Sequence, residues 1–83
     1  MIVVIDNNVF MVKTWTGEVK PVKKVVLFPE KDKKGEVFYK IEGQINLDYF
    51  MINYYYDREK AQLEYNRLFS ELFEFQEKRL VEE

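Results

Sequence analysis

The stretch from Tyr49 to Leu72, YFMINYYYDREKAQLEYNRLFSEL, decides the fold. Its first eight residues, Tyr49 to Tyr56, are aromatic and β-branched, which suits a pleated, half-buried strand. Asp57 then offers a side-chain oxygen to the open N–H groups of a helix start. Glu59 follows at the positive end of the helix dipole. Beyond Asp57 there is no glycine or proline to the end of the chain, so nothing interrupts a helix. At 100° per residue, Phe75, Leu68, Ala61, Leu72, Tyr65, Phe69, Leu80 and Phe73 share an arc of roughly 160°. The opposite arc is polar, with Leu63 and Val81 as its apolar exceptions. Lys60/Glu64, Arg67/Glu71 and Glu74/Lys78 fall four residues apart and support the helix slightly.

Working back from this strand–helix junction, the chain reads as strands. Ile2 to Ile5 is a β-branched run, and Asp6-Asn7-Asn8 makes a tight turn into Val9 to Trp15. Thr16-Gly17-Glu18 turns the chain again. Val19 to Phe28 is strand-like, but Pro21 cannot donate a ladder hydrogen bond, so Val25 to Phe28 is the better paired part. Pro29 to Gly35 reads as a charged loop, Glu36 to Ile41 as a strand, and Gly43 to Asp48 as a bend. No internal repeat, linker or low-complexity segment is evident. The expected fold is α+β: a meander-like antiparallel sheet of four or five strands with one long C-terminal amphipathic helix on one face. It forms a single domain over residues 1–83, with the sheet region in 1–56 and the helix in 57–82.

Composition bounds the chemistry. The chain has 83 residues, of which 47% are hydrophobic and 17% aromatic, far too apolar for disorder. Cysteine and histidine are both absent, which removes disulfides, thiolate and imidazole metal ligands and the commonest general base. No metal or organic cofactor is expected. No glycine-rich phosphate loop, zinc-protease or nucleophile-elbow motif occurs. Asp6, Asp48 and Asp57 sit at strand ends, where each has a plainer role in a turn, a loop or a cap. The chain therefore reads as a non-enzyme. No signal peptide or long apolar run is visible, which favours the cytoplasm, or a host cytoplasm. Ten lysines against three arginines and a single alanine suit AT-rich coding DNA, as in many firmicutes, viruses and mobile elements.

Net charge is −2, but it is uneven: residues 1–40 are basic and residues 41–83 acidic. A lysine-bearing sheet with exposed rings is the footprint of a single-strand nucleic-acid binder. Lys13, Lys20, Lys23, Lys24, Tyr39 and Lys40 are its candidate contacts. The acidic helix would repel phosphate, so this stands second.

Two geometric excesses favour protein binding. The helix would be about 37 Å long, against about 20–27 Å for six- to eight-residue strands. Several strands are also apolar on both faces, whereas one helix covers one face. Phe50, Ile52, Tyr54 and Tyr56 would share one side of the last strand, and Tyr49, Met51, Asn53 and Tyr55 the other. Either the sheet curls onto itself, or a second copy or another protein covers the remainder. The expected function is a small protein-binding module, a homodimer or a regulator or inhibitor docking on a larger protein. Its expected contacts are Trp15, Tyr54, Tyr56, Phe73, Leu80 and Val81, with aromatics as anchors.

Overall fold

The computed structural model describes residues 9–82, with side chains described through Glu77. The expected strand at 2–5 and the turn after it lie outside the described residues. Among the latter, the chain forms β1 (Phe10–Lys13), β2 (Val19–Val22), β3 (Lys24–Lys31), β4 (Val37–Ile45), β5 (Asp48–Tyr55) and α1 (Arg58–Glu82). The fold is α+β, with two antiparallel sheets and one C-terminal helix: β1 pairs with β2, and β3, β4 and β5 lie in that order.

Three tight turns connect the strands. Two are alike. Thr14-Trp15-Thr16-Gly17-Glu18 and Asp32-Lys33-Lys34-Gly35-Glu36 each close with the glycine N–H donating to the first residue's carbonyl, at 2.9 and 3.0 Å. In each, the first residue's N–H donates to the glutamate carbonyl, at 2.7 and 2.8 Å. Gly17 and Gly35 take φ of 95° and 87°, a region closed to most L-residues. A short Gly-Glu-Val echo at residues 17–19 and 35–37 is thus a structural repeat that the sequence reading passed over. The third turn is Asn46-Leu47, where Asn46 takes φ of 55°, which asparagine tolerates.

Where one sheet of four or five strands was expected, five strands divide into two sheets. The chain bends at Lys23 between β2 and β3, and side-chain facing slips there. Val22 and Val25 are both buried while Lys23 and Lys24 are exposed. Two backbone bonds still bridge the sheets: Lys23 N–H to the Gln44 carbonyl at 2.9 Å, and Trp15 N–H to the Ile52 carbonyl at 2.7 Å. The β1–β2 hairpin therefore folds over one end of the larger sheet. Both surround a single core of Val12, Val22, Val25, Ile41, Ile52, Leu68 and Leu72. Gly43, expected in a bend, lies inside β4. A Cβ there would stand 2.8 Å from Val22 Cγ2 and 2.9 Å from Phe50 Cζ. Glycine is required because the hairpin approaches the sheet so closely.

The expected charged loop at Pro29 to Gly35 is shorter, since β3 runs on to Lys31. Asp32 hydrogen-bonds Glu36 across the β3–β4 register. Bonded positions alternate, so Pro29, three residues earlier, turns its nitrogen to the open edge and costs the ladder nothing.

Helix α1 begins as its cap dictates: Asp57 Oδ1 accepts from Glu59 N–H at 2.9 Å and Lys60 N–H at 3.4 Å. Ala61, Leu68 and Leu72 are buried, with Tyr65 packed beside them. Phe69, expected in the same seam, is half exposed. The seam from Phe75 to Tyr65 is about 80° wide, and at 100° per residue Phe69 falls about 40° beyond its edge. The helix excess also has an answer. α1 passes the three-stranded sheet and reaches the hairpin, where Phe75 meets Phe10 with centroids 5.7 Å apart. Gln76 Nε2 donates to the Lys23 carbonyl at 3.4 Å. No helix among the described residues is long and apolar enough to cross a membrane.

Candidate protein-binding face

The site is made by a β-bulge. Ile41 of β4 pairs with Asn53 of β5, but its neighbour Glu42 pairs with Met51, so Ile52 is the extra residue. A bulge reverses the alternation beyond it. Phe50 and Ile52 stay on the helix side, and Asn53 and Tyr55 join them. Tyr49, Met51, Tyr54 and Tyr56 face outward. This corrects the expected grouping of Phe50 and Ile52 with Tyr54 and Tyr56, which assumed an unbroken period of two.

The outward face is where rings gather. Trp15, at the tip of the β1–β2 hairpin, meets Tyr54 edge to face at 5.7 Å. Phe38 meets Tyr54 at 5.9 Å and Tyr56 at 5.7 Å. Offset and edge contacts of this kind hold rings in place beyond simple burial. Trp15, Tyr54 and Tyr56 remain 53%, 39% and 52% exposed. A shallow depression of about 230 Å³ is lined by Phe38, Lys40, Met51, Tyr54 and Tyr56.

Polar groups fix the rim. Lys40 Nζ reaches Glu30 at 2.7 Å and Glu42 at 3.8 Å, and stands 5.7 Å from the Phe28 ring centroid. The bond to Glu30 raises its pKa above the usual lysine value. The Tyr56 hydroxyl donates to Asp32 Oδ2 at 2.9 Å. Asp32 is held below the usual carboxylate range, first by the Glu36 N–H and then by Tyr56. Tyr56 is raised in turn by its bond to Asp32. On the helix side, burial raises Tyr55, whose hydroxyl accepts from Asn53 Nδ2 at 3.0 Å.

Of the expected protein contacts, Trp15, Tyr54 and Tyr56 come together in one cluster. Phe73 lies on α1, apart from them, and the side chains of Leu80 and Val81 are outside the described residues. Phe38 and Met51 complete the cluster and went unread. Their signal was the register across β4 and β5, which the bulge hid. The expected nucleic-acid contacts do not form one surface. Lys40 is ion-paired, and Lys20 lies over Phe50 at 5.3 Å with Glu18 at 3.7 Å. Tyr39 faces the helix side beside Arg58 and Gln62. Lys13, Lys23 and Lys24 are exposed, on β1 and around the β2–β3 bend. Of the three strand-end aspartates, Asp57 caps the helix, Asp48 opens β5, and Asp6 lies outside the described residues. No group of three or more carboxylates gathers in metal-binding geometry among the described residues.

Comparison with known protein families, with curated proteins and with solved structures finds no match to this chain.

Proposed function

We propose that this chain is a non-enzymatic protein-binding module, a small regulator or inhibitor that docks on a larger protein through its outer sheet face. The observation that carries this reading is the contiguous ring cluster of Trp15, Tyr54, Phe38 and Tyr56, in which Trp15, Tyr54 and Tyr56 stay exposed. Tryptophan and tyrosine dominate interface hot spots because they combine large apolar area with few rotatable bonds. Here they are held in place by one another, so little ordering remains to be done on binding. The reading takes the two sheets as one curled five-stranded surface, continuous through the Trp15–Ile52 bond, with α1 on its inner face. It sets the protein in the cytoplasm of its own cell or of a host.

A second reading, single-stranded nucleic-acid binding, is favoured by the same rings but not by their charge. Lys40, the lysine at the cluster, is occupied by two glutamates, and Asp32 adds an anion beside Tyr56. A pull-down with Trp15→Ala/Tyr54→Ala beside wild type, repeated across a salt titration, tests both readings. A protein partner lost in the double variant and retained in salt supports docking. A nucleic-acid ligand released steeply by salt supports the second reading and removes the first.

A further inference from the structure

Among the described residues the outer edge of β3 is open, since that strand pairs only with β4. Val25, Leu27 and Pro29 hold alternate positions that face this edge, so the N–H groups of Val25 and Leu27 point away from β4. Pro29 brings no N–H and ends the run of donors. Helix α1 runs alongside. Near its start, Arg58 and Gln62 line one hollow with Leu27 and Pro29. Further on, Gln76 Nε2 donates to the Lys23 carbonyl at 3.4 Å. Gln62, Phe69 and Gln76 are seven residues apart and share one line of the helix. Phe69, 50% exposed, therefore stands over the stretch between those two contacts. Strand edge and ring form the floor and wall of a groove.

The chain itself supplies an occupant that fits. Val9 and Phe10 line a hollow with Lys23, Leu72 and Gln76, at the end of the groove where β3 starts. The residues before Val9 therefore leave from its mouth. Ile2 to Ile5, outside the described residues, come four to seven positions earlier. At about 3.3 Å per residue, the four steps from Val9 to Ile5 reach past Val25. Four strand residues then cover about 13 Å, the span from Val25 to Pro29. Traced this way the segment runs antiparallel to β3, as β4 does on the other edge. All four of its side chains are Ile or Val. Either register thus sets β-branched groups under Phe69 on the helix side, and beside the partly buried Val26 and Phe28 on the other. A hairpin would instead put this run on the outer edge of β1, but that edge leads to β5 through the Trp15 N–H and the Ile52 carbonyl. We propose that Ile2–Ile5 adds to the outer edge of β3 as a strand and packs beneath Phe69.

Nuclear magnetic resonance of the full chain with labelled methyl groups reads this directly. Methyls of Ile2–Ile5 are expected to show Overhauser contacts to the Phe69 ring. Val3→Asp/Val4→Asp puts a carboxylate on each face of the segment, so one of them meets Phe69 in either register. This variant is expected to speed hydrogen exchange at the Val25 and Leu27 N–H groups about ten-fold or more, with Ile41 in β4 unchanged. Helical circular dichroism checks that it is folded. Three results each overturn the proposal. One is contact from Ile2–Ile5 to Met11 and Lys13 in place of Phe69. Another is equal exchange at Val25 and Leu27 in the two chains. The third is protection there that rises with protein concentration, which assigns the edge to a second copy. None of these bears on the sheet-face reading, since Trp15 and Tyr54 are unchanged throughout.

Discussion

Two aromatic surfaces lie on opposite sides of the three-stranded sheet: Trp15, Tyr54 and Tyr56 are exposed on one, Phe69 and Phe73 on the other. They differ in what surrounds the rings. On the outer sheet face, Tyr56 is tied to Asp32 and Lys40 to Glu30 and Glu42, so the apolar centre has a charged rim of mixed sign. On the flank of α1 the neighbours of Phe69 carry no charge. The two surfaces therefore point to different occupants. A mixed-charge rim favours a partner whose own charges complement it, while the residues around Phe69 offer no charge to complement. The β-bulge at Ile52 creates the first surface by turning Tyr54 and Tyr56 outward. The narrowness of the core seam creates the second by leaving Phe69 and Phe73 outside.

The largest effect is expected where the two surfaces share a foundation. Leu68 and Leu72 hold α1 to the sheet, and truncating either to alanine should cost about 2–5 kcal/mol. Urea unfolding should show the loss, and both surfaces should fail together. Gly43→Ala separates them. Its Cβ would press on Val22 and Phe50, and overpacking of this kind costs typically about 1–3 kcal/mol. The strain falls between hairpin and sheet, so Trp15 fluorescence should change while helical circular dichroism holds. Asp57→Ala touches the helix instead. Loss of its cap should cost about 0.5–2 kcal/mol and leave the fluorescence of Trp15 as it was.

The sequence made some of this legible and hid the rest for physical reasons. The strand–cap–helix passage from Tyr49 to Leu72 was readable because Asp57 and the 3.6-residue period act locally. The outward face was not, because one residue at Ile52 inverts the facing of everything after it. The bulge depends on which β4 residue stands opposite, a long-range fact. The division into two sheets was hidden in the same way at Lys23. The helix looked too long because its C-terminal half packs on a hairpin that the sequence did not place beneath it. Phe69 looked buried because an arc of hydrophobic residues on α1 is wider than the seam one sheet can accept.

The smallest effect is a pH response confined to the sheet face. Asp32 is lowered by its hydrogen bonds, so its contribution is complete above the ordinary carboxylate range and is lost as pH falls through the lowered value. Tyr56 is raised by Asp32, so its contribution is complete below the ordinary phenol range and is lost as pH rises through the raised value. Trp15 fluorescence should be flat through neutral pH and change at both extremes. Asp32→Asn should remove the acid step, and stacking at Phe69 should be indifferent to both.

The most direct measurement of the central claim is a quantitative capture from the cell of origin with three baits: wild type, Trp15→Ala/Tyr54→Ala, and Phe69→Lys. The expected result is a protein retained by wild type and by Phe69→Lys but lost with the sheet-face variant. The same set of proteins on all three baits, or loss with Phe69→Lys alone, would contradict the assignment of the docking surface to Trp15 and Tyr54.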